Sequence, residues 1–251
     1  MTEAASIEKP AERKVTTLAM LNGNLQAAIR RIPAERDATT DPIAATRPNA
    51  DFTSRAHFDL EQRKIFRRYP VPVTISALLP EPGSVVADDS YGVPLLISRA
   101  KDGEVRAFIN ACQHKGSKLI EDCEVHKQGR LSCPYHAWTY NLDGRLIGVA
   151  RADMFKDLDK SKRGLKQLPA REWGGVIYVQ LDGGDPDWSQ LSGQVAEDFA
   201  SLGIPNAHVY GRKTFDLKAN WKVVLEPFLE GYHVQRLHAA SIGDLFVDAP
   251  N

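Results

Sequence analysis

Two pairs of residues near the middle of the chain have types and spacing that could bind metal. Cys112 and His114 are separated by one residue, Cys133 and His136 by two, and eighteen residues lie between the pairs. Two thiolates and two imidazoles can complete a tetrahedral zinc site. They can also hold a two-iron cluster with both cysteines on one iron and both histidines on the other. Each loop must then supply one ligand of each kind, as both pairs do, so the spacing favours the cluster and leaves zinc as the alternative.

A second group of candidate ligands lies near the C-terminal end, at Glu230, His233 and His238. On a regular helix Glu226, Glu230 and His233 share a face. His238 follows His233 by five residues, so its side chain would point about 140° away. Two ligands of one metal need that gap closed, and a one-residue π-bulge is the usual way to close it. We therefore predict an irregular turn between Tyr232 and His238. Taken alone, such a pair is weak evidence, because polar residues on a helix are more often merely solvated.

The hydrophobic pattern predicts two helices before the first ligand pair. Residues 14–32 carry apolar side chains at steps of three and four, weakened by Gly23 and ended by Pro33. Residues 33–56 indicate an irregular arm. A second amphipathic helix is expected to stop before Pro70, and its apolar side carries Phe58, Ile65, Phe66 and Tyr69.

From residue 70 to about 182, short β-rich segments alternate with glycine-containing turns. The predicted strands are 84–87, 93–99, 104–111, 130–133, 138–142, 145–149 and 174–181, with Asp143-Gly144 as a hairpin turn. Many short strands at this spacing indicate an antiparallel sandwich or small barrel. Helices are then predicted for 186–202 and 221–239 with one extended strand at 208–218 between them, which implies a second domain beginning near residue 205.

The stretches around the first ligand group resemble the two cluster loops of Rieske [2Fe–2S] proteins, and more narrowly those of the large subunits of Rieske non-heme iron oxygenases. They are Asn-Ala-Cys-Gln-His-Lys-Gly at 110–116 and Cys-Pro-Tyr-His-Ala-Trp-Thr-Tyr-Asn-Leu-Asp-Gly at 133–144. Respiratory Rieske proteins carry an additional cysteine in each loop, and the two form a disulfide. Ser117 and Tyr135 lie in those regions here, which implies a reduction potential toward the low end of the Rieske range of roughly −150 to +300 mV.

Residues 220–238 resemble the beginning of the mononuclear iron site in the same oxygenases, through Asn-Trp-Lys at 220–222 and the second ligand group. The resemblance implies a triad of two histidines and one carboxylate that leaves positions open on Fe(II) for dioxygen. His233 and His238 would be the two imidazole ligands. Glu230, where most of the family has aspartate, would be the carboxylate that bridges a cluster histidine and an iron histidine.

The third iron ligand of the family is an aspartate far downstream, and only Asp244 and Asp248 follow His238 here. We therefore expect the chain to be the N-terminal part of a longer oxygenase. The implied fold class is α+β, with N-terminal helices, an antiparallel all-β Rieske domain and the start of an α+β catalytic domain. The expected boundaries are 1–54 for the helical arm, 55–185 for the Rieske domain and 186–251 for the beginning of the catalytic domain.

The resemblance also implies a function, that of a terminal oxygenase component. A reductase or ferredoxin drawing on NAD(P)H would reduce the cluster, and electrons would pass through Glu230 to the mononuclear iron, usually across a subunit boundary in a homotrimer or an α/β hetero-oligomer. The iron would use O2 to hydroxylate an organic substrate, often an aromatic one. The alternatives are a Rieske electron-transfer protein, a truncated oxygenase without activity, and a zinc-stabilised module.

Composition bounds the function only loosely. The 32 basic residues balance 32 acidic ones, which argues against nucleic-acid or membrane binding driven by bulk charge. No apolar run approaches the roughly 20 residues that span a bilayer, and the N-terminus lacks the pattern of a secretory signal, so a cytoplasmic protein is expected. Cys123, His126, His57 and His208 have no partner at motif spacing, and we expect structural or solvated roles for them.

Overall fold

The computed structural model describes residues 17–31, 46–191, 193–231 and 233–243. The helices in these ranges are α1 (Gly23–Arg30), α2 (Ala50–Thr53), α3 (Arg55–Glu61), α4 (Gln194–Ser201), α5 (Trp221–Leu225) and α6 (Val234–Leu237). The strands are β1 (Val71–Ile75), β2 (Ser84–Asp88), β3 (Leu95–Arg99), β4 (Val105–Ile109), β5 (His126–Lys127), β6 (Leu131–Ser132), β7 (Thr139–Tyr140), β8 (Leu146–Gly148), β9 (Gln167–Leu168), β10 (Ala170–Trp173) and β11 (Val176–Val179). None of the described helices has the length and apolar character needed to cross a membrane.

Within the described ranges the strands form three antiparallel sheets, ordered β1-β11-β10, β5-β2-β3-β4-β9 and β6-β7-β8. The antiparallel β architecture predicted for the middle of the chain is thereby confirmed. All residues of β2, and all residues of β3 except Arg99, are buried. Since alternate residues of a strand point to opposite sides, both faces of these strands are covered. On β3, Leu96 faces one core, whereas Leu95 and Ile97 face the other.

The first of these two cores positions the candidate ligands. It combines Cys112 and Cys133 with the large side chains of Phe108, Trp138 and Tyr140. Both thiols are therefore fixed by the same apolar packing that joins the central sheet to the small β6-β7-β8 sheet. Burial of such side chains contributes about 1.5–3 kcal/mol each, so the site geometry depends on the stability of this core.

The predicted hairpin turn at Asp143-Gly144 connects β7 and β8. Gly144 has φ +86°, a conformation that favours glycine. A Cβ atom at this position would lie 2.4 Å from Cε1 of Phe108. Glycine is therefore required twice, by the left-handed backbone and by the core side chain packed against it.

The N-terminal predictions need correction at several points. Residues 14–16 and 32–45 lie outside the described ranges. Gly23 begins α1 instead of weakening the middle of a longer helix, because the Asn22 side chain caps the helix by accepting from Leu25 N at 2.9 Å. The irregular arm does not extend to residue 56, since α2 and the start of α3 lie in it. The second helix continues from α3 through a π-helical turn, Gln62–Phe66, and ends before Pro70 as predicted.

The strand predicted for 208–218 is wrong. The segment has no strand pairing to any described residue, and an extended chain without a hydrogen-bonded neighbour is not part of a sheet. The helix predicted for 186–202 is also shorter than expected. A 3-10 turn, Trp188–Leu191, precedes α4, and Gly193 with φ +117° lies directly before the helix.

Helix α5 is held against the N-terminal helix α3 by a hydrogen bond and an ion pair. The indole Nε1 of Trp221 donates to Glu61 Oε2 at 2.9 Å, and Lys222 forms an ion pair with the same carboxylate. The ring of Phe66 packs edge-on against Trp221 with centroids 5.3 Å apart. Because both charged side chains are largely buried, these contacts fix where the segment leading to Glu230 begins.

Candidate metal centres

The two loops that carry the first ligand group have the same backbone hydrogen-bond pattern. In the first, Cys112 N donates to Ser117 O and Gly116 N donates to Cys112 O, both at 2.8 Å. In the second, Cys133 N donates to Trp138 O at 2.8 Å, and Ala137 N donates to Cys133 O at 2.9 Å. Each loop thus folds back on its cysteine with the histidine near its tip. The difference of one residue between the two Cys–His spacings is accommodated inside one common loop shape.

The fourth residue after each cysteine has positive φ. Gly116 has φ +80° and Ala137 has φ +53°. Glycine adopts this conformation without strain, whereas a residue with a Cβ atom loses roughly 1–2 kcal/mol. The second loop therefore stores backbone strain beside a candidate ligand.

Replacing Ala137 with glycine is expected to stabilise the protein by about 0.5 kcal/mol, because relief of the left-handed strain exceeds the added freedom of the unfolded chain. Ala200→Gly, in the exposed face of α4, is the control and is expected to destabilise by about 1 kcal/mol. Urea unfolding of both variants measures the difference. Equal destabilisation at the two positions would show that Ala137 carries no strain.

The two thiols of the first group lie side by side in the core. Cys112 and Cys133 are each 3% exposed, and all three cysteines, which fall within the described ranges, are free. Burial, together with the neighbouring Cys133 thiol, raises the pKa of Cys112. A bound metal would have to displace these thiol protons, since the thiolate is the metal ligand.

Tyr140 is a site residue that the sequence did not single out. Its hydroxyl lies 3.2 Å from Cys112 Sγ and accepts a hydrogen bond from Gln113 N at 3.0 Å. Either the hydroxyl or the Cys112 thiol can be the donor in this contact, but with Cys112 as a thiolate only the hydroxyl can donate. Burial is the main cause that raises the pKa of Tyr140, so the group stays a protonated donor. The only sequence signal was the position of Tyr140 inside the predicted strand 138–142.

The two imidazoles are also neighbours. The ring centroids of His114 and His136 are 4.6 Å apart. His114 stacks on Trp138 at 4.9 Å with an interplanar angle of 8°. Burial and the nearby His136 lower the pKa of His114, which favours the neutral imidazole that binds metals.

The buried Nδ1 atom of His114 has no hydrogen-bond partner among the described residues. A buried polar atom without a partner costs free energy unless something else binds it. With the thiols adjacent to each other and the imidazoles adjacent to each other, the donor set fits a cluster whose two irons take unlike ligands. Among the described residues, no three His, Cys, Asp or Glu side chains converge on one point.

The second ligand group does not lie on a regular helix, so the prediction of a shared helical face is wrong. After α5, a 3-10 turn, Glu226–Leu229, is followed by an extended Glu230 with φ −138° and ψ 153°. The Pro227 ring and its missing N–H prevent the α-helix from continuing. The irregular turn predicted between Tyr232 and His238 is also wrong over the described residues 233–238, since Leu237 N and His238 N donate to the carbonyls four residues earlier at 2.8 and 2.9 Å, as in a regular helix. Tyr232 itself lies outside the described ranges.

The structure nevertheless brings Glu230, His233 and His238 together. His233 and His238 flank the single turn of α6 as its N-cap and C-cap, and their ring centroids are 5.5 Å apart. Glu230 Oε1 lies 2.5 Å from His233 Nδ1. The helix is interrupted at Glu230, and the two histidines cap opposite ends of α6. These two features, without an irregular turn between the histidines, bring their imidazole rings together. Asp244 and Asp248 lie outside the described residues.

The remaining cysteine and histidines lie apart from both groups. Cys123 is exposed, and its carbonyl oxygen accepts a hydrogen bond from Arg212. His126 is in strand β5, not in a loop, and its Nε2 lies 2.7 Å from Asp122. His57 is on α3, 3.5 Å from Asp51. The loop position predicted for His126 is therefore wrong, because its backbone pairs with Val85 of β2.

Models of two known protein families match the two parts of the chain that contain the ligand groups. Residues 70–160 match the Rieske [2Fe-2S] domain, and residues 204–249 match the ring hydroxylating alpha subunit (catalytic domain). The first match includes Cys112, His114, Cys133 and His136, and the second includes Glu230, His233 and His238. The chain belongs to the Rieske oxygenase family. The Rieske domain indicates a [2Fe–2S] cluster, and the catalytic-domain match indicates a mononuclear iron.

Individual relatives of this Rieske oxygenase chain differ in what they act on. It is 30% identical over 250 residues to the glycine betaine monooxygenase oxygenase subunit of Chromohalobacter salexigens, covering 98% of this chain and 55% of the relative. It is 32% identical to the anthranilate 1,2-dioxygenase large subunit of Acinetobacter baylyi, covering 74% of this chain and 41% of that subunit.

Among solved structures, the Rieske oxygenase chain is similar to the quaternary ammonium Rieske monooxygenase CntA in complex with L-carnitine. The TM-score is 0.68 with 28% identity, and the match covers 79% of this chain and 56% of CntA. The chain thus spans about half the length of the relatives it matches. The fold class predicted from sequence, an antiparallel Rieske domain with helices and the start of a catalytic domain, is confirmed.

Proposed function

We propose that this chain is the cluster-bearing part of a terminal oxygenase component. It would pass electrons from a Rieske [2Fe–2S] cluster to a mononuclear Fe(II), where O2 is used to oxidise an organic substrate. The observation that carries the proposal is that one chain assembles two separate donor groups, one of two thiols and two imidazoles and one of a carboxylate and two imidazoles. A Rieske electron-transfer protein, the alternative, needs only the first group.

The first donor group would hold the cluster through Cys112 and Cys133 on one iron and His114 and His136 on the other. The adjacency of like donors supports this assignment, as does the partnerless Nδ1 of His114. Trp138 stacks on His114 and fixes the plane of its ring before the cluster binds. Ligand geometry is therefore set by the protein core.

The second donor group would bind the mononuclear iron through His233 and His238. The contact of Glu230 with Nδ1 of His233 would leave Nε2 free to bind the iron, since the hydrogen bond at one nitrogen fixes the tautomer. We assign Glu230 the role of bridging carboxylate. When bound, the cluster supplies one-electron transfer and the iron supplies dioxygen activation.

We infer a quaternary ammonium compound as the substrate class. The similarity to the betaine relative extends over 98% of this chain, against 74% for the anthranilate relative, and a carnitine-bound enzyme is among the similar structures. In such a monooxygenation one oxygen atom enters a C–H bond and the other leaves as water, with two electrons and two protons consumed. The aromatic substrate expected from sequence is the second candidate, supported by the anthranilate relative.

The proposal includes partners and a compartment. Electrons would come from NAD(P)H through a reductase or a ferredoxin. The assembly would be a homotrimer or an α/β hetero-oligomer with electron transfer between subunits, and the protein would work in the cytoplasm. Neither nucleic acid nor membrane is part of the proposal, given the balanced charge of the chain.

Replacing Tyr140 with phenylalanine is expected to lower the reduction potential of the cluster. The hydroxyl donates to Cys112 Sγ and stabilises the additional negative charge of the reduced state, so its loss favours the oxidised state. A shift of about 60 mV corresponds to a tenfold change for a one-electron couple. Redox titration followed by absorption measures it.

Tyr135→Phe is the control for Tyr140→Phe, because Tyr135 is 64% exposed and its ring lies against His136. The reduction potential of the cluster in the Tyr135→Phe protein is expected to stay at the wild-type value. Equal shifts in the two variants would contradict a specific role of the Tyr140 hydroxyl.

Oxygen uptake tests the proposed function. The cluster- and iron-loaded protein is mixed with NADH and a Rieske-oxygenase reductase, and O2 consumption is recorded with glycine betaine, L-carnitine or anthranilate. Stimulation by the two quaternary ammonium compounds is the expected result. Stimulation by anthranilate alone would favour the aromatic candidate. A cluster that is reduced with no substrate-dependent uptake would favour the electron-transfer protein or the truncated oxygenase without activity.

A further inference from the structure

A strongly cationic segment lies beside the candidate cluster site. Residues 151–166, here called the cationic loop, contain six basic and three acidic residues, a net charge of +3 in a chain whose net charge is zero. Neither metal group uses any of these side chains. All six basic residues are exposed: Arg151, Lys156, Lys160, Lys162, Arg163 and Lys166.

Only part of this charge is neutralised within the loop. Arg151 lies 3.5 Å from Asp153, and Lys162 lies 3.6 Å from Asp159. Lys156, Lys160 and Arg163 form no ion pair with any described residue. Exposed cations without partners cost little, but a group of them creates a positive potential that acts over distance on an approaching protein.

The inner side of the cationic loop contacts a candidate cluster ligand. The Phe155 ring meets His114 edge-on, with centroids 6.1 Å apart at 89°, and meets Trp138 at 6.0 Å and 84°. Leu158 packs against the same core, and Leu165 is buried in it. The loop therefore has an apolar side fixed to the cluster core and a cationic side facing outward, one side chain away from His114.

Two further features of the cationic loop suit a docking surface. Met154, next to Phe155, is 68% exposed, and a flexible apolar side chain of this kind is frequent in adaptable interfaces. A cleft of about 480 Å³ lies beside the loop, lined in part by Lys160, Ser161 and the ion-paired Arg145 and Asp143. It offers space for a side chain of a partner, with Lys160 as the cation that has no ion pair with a described residue.

We propose that the cationic loop is the docking surface for the acidic face of a one-electron donor protein, an inference that rests on the proposed function. The reduced donor would lose one electron and become oxidised, and the cluster would gain that electron and one negative charge. Charge complementarity brings the donor to a surface close to His114 and raises the association rate. Phe155 connects that surface to His114 through a ring contact.

Stopped-flow reduction of the cluster-loaded full chain tests this inference. The probe is a reduced plant-type [2Fe–2S] ferredoxin, an acidic protein whose potential lies below the Rieske range. The test variant is Lys156→Glu/Lys160→Glu. The matched control, Arg63→Glu/Lys64→Glu, changes net charge equally at exposed residues of the π-helical turn, whose Phe66 packs against the other core.

At about 0.01 M salt we expect the test variant to be reduced about tenfold more slowly than wild type and control, and the difference to vanish near 1 M salt, where charges are screened beyond about 3 Å. Equal rates in all three proteins at low salt would overturn the inference. So would slow reduction of the test variant at every salt concentration, or a changed oligomeric mass, which would make the loop a subunit interface. Because no substrate or O2 is used, these results are independent of the proposed oxidation.

Discussion

The His233→Ala protein is expected to keep the absorption spectrum of the cluster and to lose substrate-dependent oxygen uptake. His233 contacts Glu230 and lies beside His238, whereas both cysteines of the cluster donor group are buried in the first core. Loss of even a supporting residue of a metal site lowers affinity or activity about 10–100-fold, so loss of a ligand should reduce uptake at least a hundredfold. Absorption spectra and an oxygen electrode measure the two properties on one sample.

His208→Ala is the control for His233→Ala, because His208 is exposed in the segment between α4 and α5 and belongs to neither donor group. Both the spectrum and the uptake are expected to survive in this variant. If His233→Ala lost the cluster spectrum, the assignment of the two donor groups to two separate metal centres would be wrong.

The Cys133→Ala protein is expected to form no cluster and to be less stable. Cys133 is buried beside Cys112, and its loop closes through its own backbone N–H and carbonyl groups. Metal binding contributes directly to folding free energy. A loss of about 3–4 kcal/mol would lower the midpoint of thermal unfolding by roughly 10 °C in a chain of this length.

Cys123→Ala provides the matched control for Cys133→Ala, since Cys123 is exposed and lies on the loop between the two ligand pairs. It should retain wild-type absorption, iron content and thermal stability. A Cys123→Ala protein without the cluster, or a Cys133→Ala protein with it, would contradict the proposed set of four ligands.

Much of the β architecture could be predicted because its signals are local. Gly144 marks the hairpin turn through its backbone conformation, and the buried strands β2 and β3 are short apolar segments between glycine-containing turns. The two cluster loops could be predicted for the same reason, since each is closed by hydrogen bonds within six residues.

The second donor group shows where local reasoning failed. The helical periodicity of residues 221–239 predicted one helix with an irregular turn. In the structure, Pro227 ends the α-helical hydrogen bonding and Glu230 is extended. The histidines meet because they flank one short turn. Residues 208–218 have strand-like composition, but strand formation depends on a neighbouring strand, and no described residue provides one.

The contacts of Tyr140 and Phe155 could not be predicted because they are tertiary. Tyr140 is twenty-eight residues from Cys112, and Phe155 reaches His114 from a loop with no motif of its own. Sequence spacing identifies the donors of a metal site. The groups that position those donors and surround them depend on how the sheets pack.

Pulsed electron paramagnetic resonance on the reduced protein, labelled with ¹⁵N-histidine, shows whether a Rieske cluster is bound. Iron and acid-labile sulfide are quantified on the same sample. We expect a coloured protein with a [2Fe–2S] cluster and couplings to two histidine nitrogens, both lost in a His114→Ala/His136→Ala protein. A colourless protein that contains zinc and no acid-labile sulfide, or a cluster without histidine coupling, would contradict this expectation.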